Sequence, residues 1–152
     1  MLPFRKILHP TDFSAPSLVA LEAAKELAAQ FSAELSVVHV VSAVPLLPVM
    51  EGTSSFDVET YQAELIACSR QALDDLIRKH FPNGGVRSDL LHGNPADQIV
   101  RIAEKEGVDL IVLATHGQTG WRHLVFGSVA ARVVRLAPCP VLTVRAPYID
   151  RP

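Results

Sequence analysis

Asp109-Leu110-Ile111-Val112-Leu113-Ala114, then Thr115-His116-Gly117-Gln118-Thr119-Gly120, then Gly127-Ser128, then Val141-Leu142-Thr143-Val144-Arg145 follow one another in the last third of the chain. The first block is a continuous apolar run, the pattern of a strand covered on both faces. The second is a glycine-bearing loop, the third opens a helix and the fourth is a final strand. Together they form the local chemistry of a phosphate cradle. Gly117 and Gly120 let a ligand approach the main chain closely, and Gly127-Ser128 put free N–H groups and a hydroxyl at a helix N-terminus. Neither the Walker pattern nor the dinucleotide GxGxxG pattern is present. On the residues alone a plainer reading also stands, in which Gly117 and Gly120 shape a turn and Ser128 caps a helix.

Working outward, the same alternation of strand and helix runs through the chain. Phe4 to His9 reads as a first strand that stops at Pro10-Thr11-Asp12. Leu18, Leu21, Ala24, Leu27, Ala28 and Phe31 recur at spacings of three and four, so Ala15 to Phe31 is an amphipathic helix with Ser14 as N-cap and Pro16 in its first turn. Glu34 to Val41 is a β-branched strand. Ser42 to Asp57, rich in Pro, Gly and Ser, is a flexible loop or a lid. Val58 to Phe81 is a long helix with Tyr61, Leu65, Cys68, Ala72, Leu76 and Ile77 or Lys79 on its packed stripe. Val86 to Leu91 is a third strand, Ala96 to Glu106 a helix with Asp97 suited to its dipole, Val108 to Ala114 the fourth strand, and Ser128 to Leu136 the last helix.

Strands that alternate with helices call for an α/β fold, an open five-stranded parallel sheet with helices on both faces. Residues 1–152 read as one such domain, without repeats. Asp12, the Val40-Val41 end, Gly93 and the loop from Ala114 to Gly127 all follow strand carboxyl ends. Sheets of this kind bind ligands there, at a switch of strand order.

Composition narrows the function. A chain of 152 residues buries roughly 68–70% of its unfolded surface, enough for a core without staples. Net charge is −2 and the 14 Lys and Arg are scattered, so no footprint for nucleic acid or an anionic membrane is expected. No segment reaches the roughly 20 apolar residues of a membrane span, and Arg5 and Lys6 interrupt any signal-peptide core. Cys68 and Cys139 are far apart and read as structural thiols in a reducing compartment, which points to the cytoplasm. His9 and His39 read as hydrogen-bonded core residues, since no Cys, Asp or Glu stands at ligand spacing with them; no metal site of the protein's own is expected. His116 and His123 flank the loop as phosphate contacts or as inert surface residues.

Ala114-Thr115-His116-Gly117, nine residues, Gly127-Ser128 and then Ala137-Pro138-Cys139-Pro140-Val141-Leu142 resemble the universal stress protein (UspA-like) family. Nucleotide-binding members of that family carry G-x-x-G, nine residues, then G-S or G-T. Ile7-Leu8-His9-Pro10-Thr11-Asp12-Phe13-Ser14 and Val38-His39-Val40 are similar to it as well, so the resemblance covers essentially the whole chain. It implies a Rossmann-like, adenine nucleotide alpha hydrolase-like fold and a site that takes ATP, with Mg²⁺ carried by the phosphates. The site residues it implies are Pro10, Thr11, Asp12, Val40, Ala114, Thr115, His116, Gly117, Gly120, Gly127, Ser128 and Val129. Asp12 would contact the adenosine part, the Val40 main chain adenine, and Gly117, Gly127 and Ser128 the ribose or phosphates; the alternative for Asp12 is a cap at the strand–helix junction. The resemblance also implies a homodimer through the last strand, Val141 to Arg145, whose exposed edge otherwise needs cover from the tail Ala146 to Pro152.

One residue departs from the family's pattern. Ala114 stands where the first glycine is expected, and a left-handed backbone there would cost roughly 1–2 kcal/mol, about tenfold in affinity. Catalytic groups are sparse: there is no nucleophile elbow, no paired carboxylates in one loop and no Lys in the phosphate loop, where Arg122 is the one candidate cation. Fast ATP hydrolysis is not expected. The residues thus point first to a stress-responsive module that binds an adenine nucleotide. A nucleotide-free interaction or chaperone-like protein on the same fold is the alternative, and a slow ATPase or nucleotidyl-transferring enzyme a third.

Overall fold

Side chains on successive strand residues point to opposite faces, and here both faces of the central strands are apolar. The strands β1 (Lys6–Pro10), β2 (Glu34–Val41), β3 (Val86–His92), β4 (Leu110–Ala114) and β5 (Val141–Val144) form one sheet in the order β3-β2-β1-β4-β5, every pair parallel. The computed structural model describes residues 2–43, 57–115 and 127–146. Helices α1 (Ala15–Phe31), α2 (Val58–His80), α3 (Pro95–Glu106) and α4 (Ser128–Leu136) lie between the strands in sequence. Ile7, Leu35, Val37, Leu110 and Val112 meet α1 and α2 at Leu21, Ala24, Leu73 and Leu76. Leu8, Val38, Val40, Ile111 and Leu113 meet α3 and α4 at Ala96, Ile99, Ala103, Ala130 and Val133. The sheet is therefore parallel and covered on both faces, as the sequence predicts. The expected loop from Ser42 to Asp57 falls almost wholly on residues 44–56, outside the described residues.

Element ends differ from expectation where side chains decide them. Pro10 stays in β1 as its last residue, opposite Val38 of β2. β1 begins at Lys6 rather than Phe4, whose ring instead packs edge-on against Phe31 with centroids 5.2 Å apart. β4 begins at Leu110 rather than Val108: the Asp109 carboxylate accepts the N–H groups of Arg5 and Lys6 at 2.8 and 2.9 Å and so ties the chain's start to the β4 entry. Ser14 caps α1 as predicted, accepting from the Ser17 N–H. Asn94 does the same for α3, with Pro95 in the first turn.

The packed stripe of α2 departs from the predicted one. Leu73 and Leu76 are buried, whereas Tyr61 and Cys68 are exposed. At 23 residues α2 is about 34 Å long, against about 26 Å for the eight-residue β2. Its N-terminal turns accordingly overhang the carboxyl edge of the sheet, with no described strand beneath them to bury a stripe.

The chain builds β1, β2 and β3 outward in one direction, then returns to place β4 on the other side of β1. The carboxyl ends of β1 and β4 diverge at that reversal, which is the switch point where such sheets take ligands.

Candidate functional site

A cleft of about 680 Å³ opens over the carboxyl edge of the sheet, a volume usual for small-molecule sites. It brings together Pro10, Thr11 and Asp12 from the end of β1, Val40 from β2, Ala114 and Thr115 from the end of β4, and Gly127, Ser128 and Val129 from the start of α4. These are the sequence-predicted residues on both sides of the switch point. His116, Gly117 and Gly120, with Arg122 and His123, lie outside the described residues.

The β1 side is a tightly tied turn. The Thr11 N–H donates to the Val38 carbonyl, and the Thr11 hydroxyl oxygen accepts from the Phe13 N–H at 3.1 Å and lies 2.9 Å from Ser17 Oγ. The Asp12 carboxylate accepts the N–H and the hydroxyl of Ser14, so it braces the helix cap while also lining the cleft. Phe13 adopts φ +65°, a left-handed conformation that a non-glycine residue takes only where its surroundings hold it. Its ring packs on the His39 imidazole with centroids 4.3 Å apart. The His39 Nδ1–H donates to the Thr11 carbonyl at 2.8 Å; a carbonyl only accepts, so Nδ1 carries the proton.

The β4 side is built for an open helix end. The Thr115 N–H donates to Val144 O, and Gly127 N–H donates back to Thr115 O at 2.7 Å, so the two described ends of the loop are pinned together. Gly127 is the N-cap of α4 and Ser128 its first helical residue. The reading of Ser128 as a mere cap therefore fails. Ser14, Asp57 and Asn94 cap α1, α2 and α3 with side-chain hydrogen bonds; α4 alone has none. A helix start whose first N–H groups meet no described side-chain acceptor presents partial positive charge to the cleft that it lines.

Ala114 ends β4 opposite Val144, and its φ is not among the positive values found at non-glycine residues. No left-handed strain attaches to it, and only its methyl distinguishes it from glycine in the cleft.

Below the site His9 is fully buried. Its Nδ1–H donates to Val112 O at 2.9 Å, and its Nε2 has no hydrogen-bond partner among the described residues. Burial pushes its pKa down from 6.5 to about 4, against smaller upward pulls from the Val112 carbonyl and the Asp12 charge. No group of three metal-ligating side chains occurs among the described residues.

Sequence reasoning missed part of the lining. Phe13 and His39 form one wall, and Leu65, Cys68, Ser69 and Ala72 on the overhanging turns of α2 form another. The small polar pair Cys68-Ser69 on an otherwise apolar stripe was the available signal. Cys68 is thus an exposed free thiol on the cleft wall rather than a structural core residue. Cys139 does pack against the core, and burial raises its thiol pKa.

The family model described as "Universal stress protein family" matches residues 3–145. This chain belongs to the universal stress protein family. It is 38% identical over 147 residues to universal stress protein MJ0531 of Methanocaldococcus jannaschii, covering 95% of this chain and 84% of that one. Universal stress protein MJ0577 of the same organism is 30% identical over 154 residues, covering 93% and 95%. The solved structure of MJ0577 superposes with a TM-score of 0.74 over 96% of this chain and 99% of that one, at 29% identity. A solved universal stress protein in complex with cAMP shares the fold at a TM-score of 0.64 and 24% identity, covering 93% of this chain and 97% of that one. In this universal stress protein Ala114 ends β4 and Gly127-Ser128 open α4 beside the switch point.

Proposed function

We propose that this universal stress protein binds an adenine nucleotide, ATP or a close relative, and acts as a stress-responsive binding module of the cytoplasm. The observation that carries the reading is the α4 start, uncapped by any described side chain and lining a cleft at the switch point. Helix starts of this kind take phosphate through main-chain N–H groups and the dipole. In this reading the phosphates lie over Gly127, Ser128 and Val129, with Gly117 and Gly120 completing the cradle. Adenosine lies against Asp12 and the Val40 main chain, and any Mg²⁺ arrives on the phosphates. The cAMP complex of a family member supports the nucleotide class. Binding without fast turnover fits a described lining that contains no Lys or Arg to neutralise charge developing in phosphoryl transfer.

The test is direct. Purified protein is denatured and the supernatant searched for adenine nucleotides by mass spectrometry, and ATP is titrated calorimetrically into nucleotide-free protein. Released nucleotide or measurable binding supports the reading; neither would end it. Gly127→Val should abolish binding while the circular dichroism spectrum stays native, because Val Cγ atoms would stand where a phosphate must approach.

Ala114 favours a second reading, an interaction protein on the same fold that takes no nucleotide. Because Ala114 is not strained, the two readings differ only in whether its methyl obstructs the ligand. Ala114→Gly should tighten ATP binding several-fold if it does, and leave it unchanged if the cleft already accommodates it.

We also propose that two copies associate through β5. Its outer edge has no strand partner among the described residues, and Leu142, Val134 and Leu136 are exposed around it.

A further inference from the structure

We infer that Arg132 is the residue that senses the ligand's phosphate charge, exchanging its partner Asp97 for a phosphate oxygen and so setting the preference for ATP and ADP over AMP and adenosine. The inference rests on the adenine-nucleotide reading of the cleft. Its starting point is a charge imbalance: among the described residues the lining holds one carboxylate, Asp12, and no Lys or Arg. A polyphosphate laid over Gly127 and Ser128 is held more tightly by a cation near the α4 start.

Arg132 is placed to supply it. It follows Ser128 by four residues on α4, so the two side chains stand one above the other on the same face. Helical side chains lean toward the helix N-terminus, the end of α4 that lines the cleft. Its Nη2 lies 2.8 Å from Asp97 Oδ1. Asp97 stands in the first turn of α3, two residues after Pro95, which itself lines the cleft. The guanidinium therefore sits where the starts of α3 and α4 converge. Arg135, nearly a full turn farther along α4, begins too far from the helix start to replace it.

The present pairing is easily exchanged. Both side chains are about half exposed, 47% and 48%, and an ion pair so open to water contributes little to folding. Asp97 keeps its place without Arg132, because its N–H is held by the Asn94 side chain and a carboxylate in a first turn suits the helix dipole. A guanidinium meets a phosphate through two parallel charge-assisted hydrogen bonds, for which an ion pair half open to water is readily exchanged.

The experiment titrates adenosine, AMP, ADP and ATP into the full-length wild type, Arg132→Gln and Asp97→Asn, and reads the ATP-to-adenosine affinity ratio. Arg132→Gln should lower that ratio about tenfold, the scale of one lost charge-assisted hydrogen-bonding group. Asp97→Asn, which releases the guanidinium and removes a nearby negative charge, should raise it several-fold. Opposite movement of the two variants is the signature of partner exchange. If the ratio stays at the wild-type value in both, or falls in both, Arg132 and Asp97 merely brace α4 against α3 and the inference is wrong. If wild type binds none of the four compounds, the nucleotide reading itself is overturned and the inference with it.

Discussion

His9 shows how one buried side chain ties folding to pH. In the folded chain its ring is neutral down to about pH 4, because burial disfavours the charged form more than the Val112 carbonyl and Asp12 favour it. In the unfolded chain the ring takes up a proton near its ordinary value of 6.5. Between those values the unfolded state binds the proton and the folded state does not, so stability falls as pH falls through that window and is level on either side of it. The gap amounts to about 2 kcal/mol between pH 7 and pH 5. His9→Asn keeps a donor at the Nδ1 position for the Val112 carbonyl and removes the titration. In urea unfolding, the wild type should lose about 2 kcal/mol more than His9→Asn between pH 7 and pH 5. Equal losses would mean that the folded ring titrates at an ordinary value and that Nε2 is reached by water. The sequence already marked His9 as a hydrogen-bonded core residue, since no partner stood at metal spacing. That its second nitrogen lacks a partner depends on which side chains surround it in space, and no local pattern records that.

Among the elements, two helix ends form a comparison within one chain. α1 ends on Ser32 at φ 52°, ψ 41°, and α3 on Gly107 at φ 63°, ψ 49°. Each N–H donates to two carbonyls of its last turn, Ala28 and Ala29 in one case and Ala103 and Glu104 in the other. The left-handed conformation is thus required in both places, but only Gly107 adopts it without a Cβ conflict. Ser32→Gly should raise unfolding free energy by about 0.5–1 kcal/mol, offset in part by the freer unfolded chain. Gly107→Ala should lower it by about 1 kcal/mol through the backbone alone, since a Cβ there meets nothing within 4 Å. Thermal melts of both variants check this, and a Gly107→Ala protein as stable as wild type would refute it. Element type was legible throughout because periods of two and of three to four separate strands from helices. The stripe of α2 was not. Periodicity offered Tyr61 and Cys68 as packed, yet what lies under a helical stripe depends on the neighbour's length, and α2 outruns β2 at the cleft.

At the scale of the molecule, the order β3-β2-β1-β4-β5 is the part the sequence held least openly. β1, β2, β4 and β5 all have apolar centres, and nothing local says that β4 joins β1 rather than β3; the order is settled only in three dimensions. The candidate site was more legible, because strand carboxyl ends fall on one edge whatever the order, and so Asp12, Val40 and Gly127, named from the sequence, line one cleft, whereas its α2 wall was not named. The same order leaves β5 as an edge, with its N–H and C=O groups on one side unpaired by any described strand. A two-fold axis beside β5 would pair it with its copy and cover Leu142, which is 40% exposed, together with Val134 at 47%. The proposed dimer then makes a specific forecast. Light scattering during gel filtration should give twice the mass of one chain for the wild type at micromolar concentration. Leu142→Lys, which sets a charge on the edge without touching the cleft, should give the mass of a single chain while keeping a native circular dichroism spectrum. A monomeric wild type would refute the dimer. A dimeric Leu142→Lys would refute its placement at β5 and move the interface to another face.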